Sequence, residues 1–177
     1  MEQIIRQSKV IICVGSGGVG KTTMSASIGV LAAQMGLKVL VLTIDPSKRL
    51  AQSLGLTTDM VGDFLVPNQS YAGELYAGLI DATQVFDSFI SESAQDPQKV
   101  ELLMKNSLYK QLSTNLSGSQ EFTSLDRLYR AANSNKYDLV ILDTPPAQHA
   151  MDFLTAPEKI YTLFQKSITK WFVQSYE

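Results

Sequence analysis

The chain has 177 residues, of which 45% are hydrophobic and 18% charged, with a formal net charge of −2. This size and composition are ordinary for a soluble globular domain, and the charge argues against a nucleic-acid-binding protein. The single cysteine excludes an internal disulfide. Residues 1–9 lack a signal-peptide pattern and no apolar run approaches about 18 residues, so we expect a cytoplasmic protein.

Four apolar segments predict the buried strands of a mostly parallel sheet. They are Lys9–Val14, Lys38–Ile44, Leu75–Ile80 and Tyr137–Asp143. A helix is predicted for Lys21–Met35, with Gly36 at a natural position for a helix end. Strand, helix and strand at short intervals predict right-handed βαβ units, flanked by helices. We expect the helix to bring the second strand alongside the first.

Residues 82–134 predict an inserted helical subdomain, since they are too many for one crossover helix. Apolar residues recur there at helical spacing, namely Val85, Phe86, Phe89 and Ile90, then Val100, Leu103 and Met104, then Leu125, Leu128 and Tyr129. The last segment carries a helical pattern that stops at Glu177 without a cap. We therefore expect a single domain over residues 1–177 that is an N-terminal fragment of a longer chain.

Residues 15–22 match the phosphate-loop pattern G-x-x-x-x-G-K-[ST]. The match lies directly after a predicted strand and before a predicted helix, which is the context that the motif needs. Lys21 is expected to reach the β- and γ-phosphates, and the Thr22 hydroxyl to ligate Mg²⁺. The alternative is a glycine-rich turn without a ligand. The predicted nucleotide-binding residues are Gly15, Ser16, Gly17, Gly18, Val19, Gly20, Lys21, Thr22 and Thr23.

Two aspartates end predicted strands and are candidates for the chemistry. Asp143 ends the run Leu139–Leu142 and is predicted to meet Mg²⁺ through water, although it could merely cap the next turn. Asp45 could orient or deprotonate the attacking water, and is a further candidate for the metal. On spacing alone, Asp45 is equally an N-cap followed by Pro46 at the first helical position.

The segments GGVGKTT, LTIDPSKRLAQSLG and YDLVILDTPPAQHAMDFLTAPEKI resemble the ArsA-type ATPases, which drive arsenite pumps or target tail-anchored proteins. These belong to the deviant phosphate-loop class of NTPases, together with MinD and ParA. The resemblance implies Mg²⁺-dependent ATP hydrolysis coupled to conformational switching, with Asp45 as a catalytic residue beside Lys21. It also implies two switch segments, which here would contain Asp45, Pro46, Asp143, Thr144, Pro145 and His149. Alone, His149 is equally a structural or solvated histidine.

The chain departs from this family at two positions. Ser16 replaces the signature lysine that in such dimers reaches the partner's phosphates, and Gln148 replaces a glycine before the histidine. A serine leaves the backbone cradle intact but removes a charge that would act across a dimer. Cys13 is predicted to be a small core residue rather than a ligand for arsenite or zinc.

The resemblance also implies partners. We expect a homodimer or a dimer of related subunits, a membrane pump or an apolar client protein as partner, and no nucleic acid. Peripheral location at a membrane is an option. The inserted helices could line a client groove or simply cover the sheet, and the apolar stripe of residues 160–172 could be core, subunit interface or membrane anchor. The alternative functions are a MinD- or ParA-like positioning switch and a nucleotide-binding module with little hydrolysis.

Overall fold

The computed structural model describes residues 1–43, 50, 53–55, 62–67, 70–80, 85, 88, 91 and 119–144. Three helices and five strands lie within these ranges. In chain order they are α1 (Glu2–Gln7), β1 (Val10–Cys13), α2 (Lys21–Gln34), β2 (Lys38–Thr43), β3 (Gly62–Leu65), β4 (Glu74–Leu79), α3 (Ser119–Asn133) and β5 (Leu139–Asp143).

The five strands form one sheet in the order β1-β5-β2-β4-β3. Strands β1, β5, β2 and β4 are parallel to one another, and β3 pairs antiparallel with β4 at the edge of the described sheet. An antiparallel strand at the edge of a parallel sheet is common in folds with helices on both faces. The prediction of a mostly parallel sheet flanked by helices, as in phosphate-loop NTPases, is confirmed.

One expectation about this sheet was wrong: β2 does not lie beside β1. Strand β5 pairs with both, so that it separates them. The physical reason lies in burial, because every residue of β5 is buried whereas every residue of β1 is partly exposed. A strand that is buried on both faces stabilises the fold most from a central position, and β5 lies between β1 and β2 in the part of the sheet that the structure describes.

Helices cover the sheet on its two faces, and the strand residues alternate between them. On one face, Val39 and Val41 of β2 and the odd-numbered residues of β5 pack against α2. On the other face, Leu40 and Leu42 and the even-numbered residues of β5 pack against α3. The side chains at positions 39–42 and 139–142 are all fully buried. Side chains of β2 and β5 that have odd numbers therefore face α2.

Helix α2 lies close to the sheet because of a glycine in its middle. A Cβ atom added at Gly29 would lie 2.7 Å from Cγ2 of Val41 and 3.1 Å from Cδ1 of Leu75. Distances this short leave no room for a larger residue. The helix ends as predicted, with Gly36 in the left-handed region at φ 89°.

Sequence reasoning missed α1 and the edge strand β3. The last part of the predicted helical subdomain is helical, since α3 covers residues 119–133 and buries Leu128 against the sheet. Most of residues 82–118 and all of 145–177 lie outside the described residues, so the subdomain and the apolar stripe of residues 160–172 stay predictions. None of the helices within the described ranges has the length and apolar content that a membrane crossing requires.

Candidate nucleotide-binding site

The phosphate-loop segment connects β1 to α2 at the carboxyl end of the sheet. Gly18 and Gly20 have φ values of 78° and 86°. Side chains other than glycine rarely adopt this left-handed conformation, so the two glycines allow the tight path of the loop. Residues 16–20 are exposed. The backbone of the loop is thus open to a ligand.

The N-terminus of α2 has the properties of an anion-binding site. Gly20 is its N-cap, so no side chain accepts a hydrogen bond from the N–H groups of the first turn, and that turn contains no acidic residue. The first N–H groups of a helix point outward along its axis and carry the positive end of the helix dipole. A phosphate group placed there would meet both.

Lys21, the first residue of α2, folds back across the loop. Its ammonium group donates hydrogen bonds of 2.8 Å to the carbonyl oxygens of Gly15 and of Ser16. An ammonium group has three donors, and two of them are used in this way. The positive charge of Lys21 is therefore held at the loop itself, beside the helix N-terminus.

Three neighbouring strands present one residue each below this loop. Cys13, Asp143 and Thr43 are paired in register at the ends of β1, β5 and β2. The odd-numbered residues of β2 and β5 face α2, as does Cys13, which packs against the same core cluster. The sheet therefore brings the carboxylate of Asp143 beneath the first turns of α2.

Asp143 is only 2% exposed, and hydroxyl groups surround its carboxylate. The Thr22 hydroxyl donates a hydrogen bond of 2.8 Å to Oδ2. The Thr43 hydroxyl donates to the same oxygen at 3.3 Å, and the Ser25 hydroxyl lies 3.5 Å from Oδ1. A buried carboxylate needs such donors to replace the water that it loses. The phosphate loop, the helix and two strands thus converge on one carboxyl group.

The end of β1 is tied to the residue that follows Asp143. The backbone N–H of Thr144 donates a bond of 3.3 Å to the carbonyl oxygen of Cys13, and the Thr144 hydroxyl donates one of 2.7 Å to the same oxygen. Burial raises the pKa of the Cys13 thiol, the neighbouring Ser25 hydroxyl lowers it, and the nearby charge of Asp143 raises it. The thiol stays protonated and Cys13 packs as a small core residue, as predicted.

The structure brings together Lys21, Thr22 and Asp143, which the sequence singled out at separate places. Asp45, Pro46, Pro145 and His149 lie outside the described residues, and their assigned roles stay predictions. Sequence reasoning missed Ser25 and Thr43. Signals for both were present, because Ser25 follows Thr22 by three positions on one helix face and Thr43 is the polar end of an apolar strand.

The donor atoms at this site suit a magnesium ion. Mg²⁺ prefers oxygen ligands, retains several waters and is bound in proteins through one or two carboxylates plus substrate phosphates. The Thr22 hydroxyl and the Asp143 carboxylate supply such oxygens 2.8 Å apart, next to the helix end where phosphate groups would lie. Thr22 could ligate the ion through a lone pair and still donate its proton to Asp143.

Comparison with known proteins gives several relatives. An uncharacterized protein of Streptomyces coelicolor is 31% identical over 153 residues, which cover 86% of this chain and 38% of that protein. The ATPase GET3 of Malassezia globosa is 29% identical over 92% of this chain and 45% of its own. A protein of Aquifex aeolicus named "Putative arsenical pump-driving ATPase 1" is 29% identical over 94% of this chain and 40% of its own.

The chain spans less than half the length of these three relatives. Among solved structures, the cobyrinic acid a,c-diamide synthase of Mycobacterium smegmatis, with bound ADP and magnesium, is 24% identical. That match covers 83% of this chain and 55% of the synthase at a TM-score of 0.43. The family of anion-transporting ATPases, or ArsA ATPases, matches residues 8–173. This chain belongs to the ArsA family of ATPases.

Proposed function

We propose that the chain binds MgATP at the phosphate loop and forms the nucleotide-binding part of an ATPase of the ArsA type. The observation that carries this proposal is the hydrogen bond of 2.8 Å between Thr22, at the start of α2, and Asp143, at the end of β5. It joins the two oxygen donors that a magnesium nucleotide requires, next to a helix N-terminus without a side-chain cap.

Each residue of the site has a part in this proposal. The loop N–H groups and the first turn of α2 bind the phosphates, and Lys21 offsets the charge that develops on the transferred phosphoryl group. Thr22 and Asp143 would hold the magnesium ion, Asp143 through water. The ion supplies charge neutralisation and a fixed orientation of the phosphate oxygens. Asp45, by its family match, orients the attacking water.

The output of hydrolysis would be a change in the two segments that follow β2 and β5. Both strands end at the site, at Thr43 and Asp143, and the residues assigned to the two switch segments follow these strand ends in the sequence. Segments that contact a γ-phosphate and are released after hydrolysis are a recurring kind of switch. We propose that this switch acts in the cytoplasm, within a dimer, on an ion pump or an apolar client protein.

Binding of a fluorescent ATP analogue, with and without Mg²⁺, tests the proposal. Replacing Lys21 with Ala should weaken binding by about 100-fold, because it removes a full positive charge at the loop. The matched control is Lys9→Ala, since Lys9 is an exposed lysine just before β1 and should bind as the wild type does. Equal affinity of Lys21→Ala and wild type would contradict the assignment of the loop. Release of phosphate by the wild type then tests hydrolysis itself.

A further inference from the structure

Among the described residues, three hydroxyls approach Asp143, and two of them belong to residues that have no role assigned so far. They are those of Thr43, which is 3% exposed, and of Ser25, which is fully buried. Polar groups are placed in a protein interior at a cost, so a pair of them aimed at one carboxylate calls for an explanation.

The sheet fixes the position of Thr43. It is paired in register with Asp143 on one side and with Leu79 on the other, and its carbonyl oxygen accepts a bond of 2.8 Å from the N–H of Ile80. Threonine also has a restricted side-chain torsion, because it is branched at Cβ. The backbone pairing on both sides of Thr43 therefore fixes its hydroxyl 3.3 Å from Oδ2 of Asp143.

Ser25 approaches the other carboxylate oxygen from the helix above. Its hydroxyl lies 3.5 Å from Oδ1 of Asp143, which is a long and weak hydrogen bond. It lies one turn after Thr22 on the same face of α2. With Thr43 and Thr22 on Oδ2, both oxygens of the carboxylate are approached by hydroxyl donors, and the plane of the group is defined.

We propose that Thr43 and Ser25 are positioning residues that hold the Asp143 carboxylate in the orientation needed for the magnesium nucleotide. Partners of this kind, which bind a ligating group rather than the metal, commonly set metal affinity. Thr43 also links Asp143 to the strand that precedes Asp45, because Asp45 follows Thr43 by two positions in the sequence. Its hydroxyl joins the strand that leads to Asp45 to the carboxylate on the neighbouring strand. This inference rests on the proposed function.

The Mg²⁺ dependence of nucleotide binding tests the proposal. A fluorescent ADP analogue is bound to the full chain, and the fluorescence is followed as Mg²⁺ is titrated in, which gives a midpoint Mg²⁺ concentration. The wild type is compared with Thr43→Val, which keeps the shape of the side chain and removes its hydroxyl. The Mg²⁺ concentration at the midpoint should rise about tenfold, as for other residues that orient a metal ligand. Affinity for the metal-free nucleotide should not change. Thr43→Ser should restore the wild-type midpoint.

Ser25 offers a matched pair on the same helix. Ser25→Ala should raise the midpoint by about threefold, because its hydrogen bond to Asp143 is long. Ser27 is exposed and donates only locally, at 2.8 Å to the carbonyl oxygen of Thr23. Ser27→Ala should leave the midpoint unchanged.

The results separate the failure of this inference from the failure of the proposed function. A wild type that binds no nucleotide, or whose nucleotide binding ignores Mg²⁺, would overturn both. A wild type with a clear Mg²⁺ midpoint that neither Thr43→Val nor Ser25→Ala shifts would overturn the inference alone, because the hydroxyls would then only support the fold. Should Thr43→Val fail to fold by circular dichroism, Ser25→Ala against Ser27→Ala still decides the question.

Discussion

Two aspartates, Asp143 and Asp63, are largely buried at the sheet, and their surroundings differ. Asp63, on the edge strand β3, accepts a hydrogen bond of 2.5 Å from the guanidinium group of Arg127 on α3. Its other oxygen accepts one of 2.9 Å from the hydroxyl of Tyr137. Asp143, on the central strand β5, is approached by the hydroxyls of Thr22, Thr43 and Ser25.

The partners determine what each carboxylate can do. A guanidinium group neutralises the charge of Asp63 and joins β3 to α3, which suits a fixed structural contact. Burial raises the pKa of the Tyr137 hydroxyl, and its hydrogen bond to the Asp63 carboxylate raises that pKa further. Hydroxyl groups satisfy the oxygens of Asp143 but do not neutralise its charge, and they can rotate. A carboxylate held in this way suits a cation that arrives and leaves with a nucleotide.

The largest expected effect comes from removing the charge of Asp143. In Asp143→Asn, the rate of Mg²⁺-dependent ATP hydrolysis should fall about 100-fold, because the magnesium water shell loses its anionic acceptor. Phosphate release under single-turnover conditions measures this rate. The matched control is Asp63→Asn, which should lower stability and leave the Mg²⁺ dependence of binding as in the wild type. Equal losses of Mg²⁺ dependence in the two variants would contradict the claim that Asp143, and not Asp63, serves the magnesium nucleotide.

A smaller effect is expected from Arg127→Met, which leaves the Asp63 carboxylate without its cation. The side chain of Asp63 is only 13% exposed, so the free energy of unfolding should fall by about 2 kcal/mol. Urea denaturation followed by circular dichroism measures this change. Arg130→Met on the same helix breaks a more exposed pair with Asp126 and should cost about 0.5 kcal/mol or less. Nucleotide affinity should not change, and a loss of it in Arg127→Met would link Asp63 to the site.

The smallest effect is expected at the exposed pair of Lys38 and Glu74, whose charged atoms lie 2.8 Å apart. The hydrogen bond from Lys38 lowers the pKa of Glu74 below its ordinary value of 4.5. The pair therefore stabilises the fold above that value, and the effect is lost as the pH falls through the lower pKa of the folded state. Glu74→Gln should slightly lower the urea midpoint at neutral pH and low salt, with no difference from wild type in strong acid. A difference that grows in acid would contradict this sign.

Local patterns predicted the parts of the site that are continuous in sequence. The glycines and Lys21 of the phosphate loop form one motif, and the uniformly apolar run Leu139–Leu142 indicates a buried strand that ends at Asp143. These signals suffice to predict the loop, the helix after it and most strands of the sheet. They also suggest that Thr22 and Asp143 lie near each other, since parallel strands end at a common edge.

Other features depend on relations between distant segments. The order of β1, β5 and β2 depends on the pairing of β5 with both of the other strands, and chain order alone placed β2 beside β1. The strand β3 has only four residues, beginning with glycine, and its antiparallel pairing with β4 defines it. The importance of Ser25 and Thr43 depends on such relations too, because the register of β2 and β5 brings Thr43 beside Asp143, and the packing of α2 brings the Ser25 hydroxyl within 3.5 Å of it.

Helix α2 connects the candidate nucleotide-binding site to the hydrophobic core, which it contacts closely at Gly29. The close approach of that glycine to Val41 and Leu75 sets the height of the helix above the sheet. Thr22 lies seven residues earlier on the same rigid helix, about 10 Å away along its axis. The separation of the Thr22 hydroxyl from Asp143 is thus fixed partly by a contact between apolar groups two turns away. A larger residue at position 29 would therefore disturb the position of Thr22 as well as the packing of the core.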